Sequence, residues 1–122
     1  MRIVDNSTVE VTLSYDEPAF DQDNTPLIST DNPPLTDLAY TSMFYKVGTG
    51  AAVAAGKNTA SKPSGGGHIS SLLLVPAPVN QKTAFDFWVT STDLTGNSAG
   101  ETHASFTVDR MAPAVPINFT VA

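Results

Sequence analysis

The chain has 122 residues, enough for one domain with its own core and too few for two of ordinary size. It contains no cysteine, which removes disulfides, thiolate metal sites and cysteine nucleophiles together. Its 12 acidic and 6 basic residues give a formal charge of −6, so phosphates would be repelled and nucleic acid is not an expected partner. No stretch is long and apolar enough to span a bilayer, and MRIVDNSTVEV carries no apolar leader, so neither a membrane nor a secretion route is expected. Thr, Ser, Gly and Pro recur while long Glu, Lys and Leu runs are missing, a balance that favours short strands and turns over helices.

Residues 1–4 precede the first clear strand pattern, a marginal length for a strand of their own. From Val9 to Tyr15 the sequence alternates, with Val9, Val11, Leu13 and Tyr15 on one face and Glu10, Thr12 and Ser14 on the other. Asp16-Glu17-Pro18 ends that strand, because proline has no ladder donor. Ala19 to Asp37 carries Pro26, Pro33 and Pro34 among Asp, Asn, Thr and Ser without periodicity, and is expected to be a long loop. Its acids Asp21, Asp23, Asp31 and Asp37 are oxygen donors of the type calcium takes. The glycine and closing glutamate of a calcium loop are missing, so a solvated turn is expected and no metal.

Leu35 to Val47 is the next strand, with Ala39, Thr41, Met43, Tyr45 and Val47 expected to face the core and Tyr40, Ser42 and Phe44 to face out. Gly48 to His68, rich in small residues, is expected to be a flexible excursion. Its glycine run Gly65-Gly66-Gly67 lacks the Lys-Ser/Thr that makes a phosphate loop. The apolar run Ile69 to Val75, closed by Pro76 and Pro78, is expected to be a buried strand. Thr83 to Gly100 is the best-marked stretch: Phe85, Phe87 and Val89 alternate with Asp86, Trp88 and Thr90 before a turn rich in Asp, Gly and Asn. Glu101 to Val108 alternates again, with Ala104, Phe106 and Val108 inward and His103, Ser105 and Thr107 outward. In the tail, Pro113 and Pro116 extend the backbone and Ile117, Phe119 and Val121 alternate with Asn118 and Thr120, the pattern of a strand with one buried face.

Several of these stretches resemble fibronectin type III modules. Phe85, Val89, Ser91, Asp93, Gly96, Asn97 and Ser98 stand where the penultimate strand of that family carries an aromatic, a valine and "D-x-x-G-N-x-S". VEVTLSYDEP resembles the second strand, "V-x-L-x-W-x-x-P", with Tyr15 at the tryptophan, and Pro34 to Tyr45 resembles the opening of the third. Val79 to Phe85 has the spacing of the family's corner "L-x-P-G-T-x-Y", but Gln81 and Lys82 replace Pro and Gly and Phe85 lacks the hydroxyl, so a looser turn is expected. APAVPINFTVA resembles the proline-rich lead-in and first strand, displaced to the far end of the chain. The resemblance implies an all-β fold: an immunoglobulin-like, fibronectin type III-like antiparallel β-sandwich of about seven strands over residues 1–111, with 112–122 as an extended segment. Its expected core is Val11, Leu13, Tyr15, Met43, Tyr45, Leu73, Phe85, Phe87, Val89 and Phe106.

Catalysis needs a convergent acid, base or nucleophile, and the two histidines, His68 in a loop and His103 on an outward face, have no partner nearby in sequence. Ser70 and Ser71 have no Gly-x-Ser-x-Gly around them, and zinc spacing is absent, so neither an enzyme nor a cofactor is expected. The sequons at Asn6 and Asn118 carry no information without secretion. What remains is a structural or interaction module with protein partners, either copies of itself or other subunits. A bacteriophage virion component assembled in the host cytoplasm is the leading expectation. An extracellular spacer or carbohydrate-surface-binding module is the alternative. The candidate contact residues are Tyr40, Phe44, Trp88 and His103, which the resemblance brings together, and Ile117, Phe119 and Val121 of the tail. Trp88 either belongs to an exposed aromatic patch or lies under the glycine-rich loop. The tail has three destinations: its own sandwich, a neighbouring subunit or a following domain. Strand exchange between subunits is favoured, because it gives a repeating assembly a directional link.

Overall fold

A computed structural model of the chain describes residues 1–22, 24, 26–27, 38–62 and 64–122. Its strands are β1 (Arg2–Ile3), β2 (Thr8–Asp16), β3 (Leu38–Val47), β4 (Val53–Thr59), β5 (His68–Pro76), β6 (Lys82–Asp93) and β7 (Thr102–Asp109). They form two antiparallel sheets, β1-β2-β5 and β4-β3-β6-β7, and no helix occurs among the described residues, an all-β arrangement consistent with a sandwich. Most of the loop expected from Ala19 to Asp37 lies outside the described residues, and with it Asp23, Asp31 and Asp37.

The core follows the period-2 patterns. Val9, Val11, Val75, Ala77, Phe85, Phe87 and Val108 form its buried cluster, with Leu13, Tyr45 and Leu73 packed against it. Tyr45 meets Phe85 edge-on at 6.1 Å, so the expected register of β3 holds at that contact. Met43 is buried as expected, while Tyr15 and Val89 are half-buried. Tyr15 also joins the sheets by polar contacts: its hydroxyl lies 2.6 Å from Thr41 Oγ1 and accepts from Asn58 Nδ2 at 2.9 Å.

Four expectations need correction. β5 is not buried on both faces: it pairs only with β2, nothing among the described residues is layered on the outer face of that sheet, and Leu72 and Leu74 stand exposed there. Phe106 lies on the core face, opposite Phe85 in the ladder, yet is 43% exposed, because among the described residues the facing sheet does not extend over it. The glycine-rich excursion contains β4, which adds to β3 through a bulge beside Gly56 (φ +134°). Its small residues carry no hydrophobic signal, and Asn58, bonded to Tyr15 and to Ser71 Oγ at 3.1 Å, holds it in place. The corner after β5 is tied despite the missing tyrosine hydroxyl: Asn80 N donates to Arg110 O and Arg110 N to Gln81 O, both at 3.0 Å. Arg110 Nη1 then donates to the carbonyls of Asp5 and Ala77 at 2.8 and 2.7 Å, fastening the end of β7 beside the start of β2.

The glycine run is packed closely. Glu17, almost fully buried, accepts from Ser61 N and Gly67 N at 3.0 Å each and from Ser61 Oγ at 2.5 Å, so a buried carboxylate pins the returning loop. A side chain at Gly65, whose φ is +67°, would clash with the Pro18 carbonyl.

The turn after β6 is organised by Asp93. Its Oδ1 accepts from Thr95 N at 2.9 Å, Thr95 Oγ1 at 2.7 Å and Asn97 N at 3.0 Å, while Gly96 supplies the positive φ of 91°. Desolvation pushes the Asp93 carboxyl up, but the bonds from Thr95 and Asn97 together outweigh it and hold the group below the ordinary aspartate value. A folded pKa below the unfolded one gives stability that is present above about pH 3.9 and lost as pH falls through the folded value. Asp93→Ala is therefore expected to cost about 1 kcal/mol at neutral pH, with the gap in melting temperature closing in strong acid. A gap of constant size across that range would show that the carboxylate plays no part.

Candidate interaction surface

The structure brings three of the four strand residues singled out from sequence into one row on the outer face of the four-stranded sheet. Phe44 pairs with Trp88 across β3 and β6, and Trp88 with His103 across β6 and β7. Phe44 stacks on the indole at 5.7 Å and 14°, and His103 stacks on its other side at 5.3 Å and 23°. Tyr40 is not in the row. It lies further along β3, opposite Thr92, with Lys57 Nζ 4.5 Å above its ring.

Trp88 is only 9% exposed, so the open aromatic patch expected from alternation is closed. The rings stacked against it come from the neighbouring strands. The glycines of the long loop pack on Pro18, Ala19 and Glu17 instead. Sequence alternation gives the face a side chain points to, but not how far its row neighbours cover it.

His103 is fixed by two carboxylates. Nδ1 lies 2.9 Å from Asp86 Oδ2 and Nε2 lies 2.8 Å from Glu101 Oε1. The bond to Glu101 raises the His103 pKa most, the bond to Asp86 adds to it, and desolvation opposes both. With both nitrogens facing carboxylate acceptors, the protonated ring is the form these contacts stabilise. Among the described residues no cluster of three or more His, Asp or Glu is placed to hold a metal ion.

The more open feature is at the other side of β7. β1 covers β2 only at Val9 and Glu10, where Arg2 clamps Glu10 through Nε–Oε1 and Nη2–Oε2 contacts of 3.1 and 3.2 Å. β5 pairs with the whole of β2 on its other side. From Val11 to Asp16, β2 therefore has a free edge among the described residues. Beside it runs a groove of about 490 Å³, with Val11, Leu13 and Tyr15 on one wall and Ala104 and Phe106 on the other. Strand alternation aims the Thr12 and Ser14 amides at this edge, since Val4 N donates to Thr8 O on the β1 side while Ala77 N donates to Ser7 O on the β5 side. The groove was not read from the sequence. The available signal was an inward-facing Phe106 combined with a first strand too short to cover it.

The tail residues lie apart from all of this. No strand forms after Asp109, and Ile117, Phe119 and Val121 are 81, 83 and 84% exposed, with a bend at Asn118. Docking of the tail on its own sandwich is thus not found.

Two outcomes follow from the aromatic row. Trp88→Ala is expected to lower stability by about 3 kcal/mol, read by denaturant unfolding, and an unchanged unfolding midpoint would show that the closed row contributes nothing. In an NMR titration, His103 is expected to change charge above the ordinary histidine value, so its ion pairs stabilise the fold fully below about pH 6.5 and release it as pH rises through the folded value. Glu101→Gln should bring that midpoint down, and an unmoved midpoint would disprove the pairing.

No protein-family model matches the chain, and neither the curated proteins nor the solved structures contain a significant match to it.

Proposed function

We propose that the chain is a non-catalytic interaction module of fibronectin type III-like build that joins subunits of a repeating particle, a bacteriophage virion. The observation that carries this reading is the tail. Val115, Ile117, Phe119 and Val121 are each about four-fifths exposed, in a segment whose prolines and alternation suit an extended strand. Scattered exposed apolar residues are ordinary on a protein surface, but a periodic run of them on one short segment has the composition of a strand that pairs elsewhere.

The type of sandwich is supported by strand order. β3, β6 and β7 are neighbours, as the resemblance implies, and β4 joins the β3 edge. In the immunoglobulin constant type the fourth strand lies in the sheet that holds the second and fifth. The Asp93, Gly96 and Asn97 positions of the motif also form the turn after β6. Such folds host many functions, so the choice of a virion rests on the apolar tail together with the acidic, cysteine-free composition, not on the fold.

Mass spectrometry of particles purified from the phage that encodes the chain is expected to find it in fixed ratio to the main structural protein. Recovery only as part of a secreted hydrolase or adhesin would contradict the proposal and favour the extracellular spacer.

A further inference from the structure

Resting on the reading of the chain as an interaction module, we infer that the free edge of β2 receives residues 112–122 of a second copy. The incoming strand runs antiparallel to β2, in line with β1, and turns Ile117, Phe119 and Val121 into the groove over Leu13, Ala104 and Phe106.

Three observations converge on this occupant. The free stretch Val11–Tyr15 and the alternating stretch Ile117–Val121 match in length and phase, with Ile117 opposite Tyr15, Phe119 opposite Leu13 and Val121 opposite Val11. The groove exposes apolar side chains on a core face, Phe106 above all, and the tail carries three apolar side chains at period 2 with nothing to cover them. The edge also presents the Thr12 and Ser14 backbone groups to a partner strand, while Asn118 and Thr120 would fall on the wet outer face beside the side chains of Thr12 and Ser14 once Asn118, at a φ of +56° in the free tail, becomes extended on pairing. Pro113 and Pro116 precede the paired stretch, where their missing donors cost no ladder bond.

Geometry favours a second copy over the chain's own tail. Arg110 fastens the end of β7 beside Asp5 and Ala77, at the start of β2, whereas a strand antiparallel to β2 must enter at Asp16. Val9 to Asp16 spans about 23 Å, and the steps from Arg110 to Ile117 reach about 23 to 25 Å only when fully extended, which leaves no length for the reversal of direction after β7. A tail from another copy meets no such limit. Each copy then donates at one end and receives at the other, a heterologous contact that propagates into a ring or a filament.

Sedimentation velocity of the full chain from micromolar to millimolar concentration tests the inference, with circular dichroism melting as a control for folding. The wild-type chain is expected to form oligomers that grow with concentration. Phe119→Asp, which spoils the donor, and Ala104→Trp, which fills the groove, are each expected to weaken association about 100-fold, with Ala104→Arg as a second groove block. A mixture of Phe119→Asp with Ala104→Trp is expected to restore a 1:1 dimer and nothing larger, because one copy still receives and the other still donates. Three results would overturn the inference: a wild-type monomer throughout, oligomers unaffected by both changes, or no dimer on mixing. A monomer whose melting temperature falls with Phe119→Asp would mean self-docking and would also overturn it. The broader reading fails separately, by absence of the chain from the particle.

Discussion

A two-layer β-sheet protein is stabilised where each sheet covers the inner face of the other, and among the described residues that cover is incomplete along one side. β1 pairs with β2 at Val9 and Glu10 and goes no further. Opposite it, the inner face of β7 continues through Phe106 and Ala104. The rest of the structure is arranged around this shortfall. The buried cluster is displaced toward β5, β6 and the Val108 end of β7, and the sheets are tied by Tyr15 with Thr41 and by Arg110 with Asp5 and Ala77. The groove opens along the flank between these two ties, with Tyr15 in its wall.

The polar pins explain how a small core tolerates an open flank. Glu17 holds the loop before β5, Asp93 shapes the turn after β6, and Asn58 fixes β4 to the strands of the other sheet. Each satisfies several donors or acceptors at once, and each is local enough that the missing strand leaves it undisturbed. An extended segment can therefore arrive late, after the sandwich has formed, and add its own backbone bonds and apolar burial to a finished scaffold.

Much of the fold was legible in the sequence, and the reasons are specific. Val9 to Tyr15 and Phe85 to Val89 each show one apolar face, and their registers hold in the structure. β4 was hidden because Val53 to Thr59 contains one large apolar residue, and its position depends on the Asn58 bonds, which have no periodicity. Leu72 and Leu74 looked buried because an apolar run does not reveal whether a second layer lies on its outer face. The aromatic row was predicted through Phe44, Trp88 and His103, but its closure was not, since stacking depends on ring angles that alternation does not specify. The tail's pattern was visible, while its receiving groove required knowing where β1 stops.

Hydrogen exchange along β2 tests the central claim most directly, because one strand carries both its closed and its open edge. The amides of Val11 and Leu13 face β5 and those of Thr12 and Ser14 face the free edge. In dilute monomeric protein Thr12 and Ser14 should exchange rapidly while Val11 and Leu13 stay protected, and raising the concentration should slow Thr12 and Ser14 selectively. Equal protection of all four amides in the dilute monomer would contradict the account, since the edge would then already be filled.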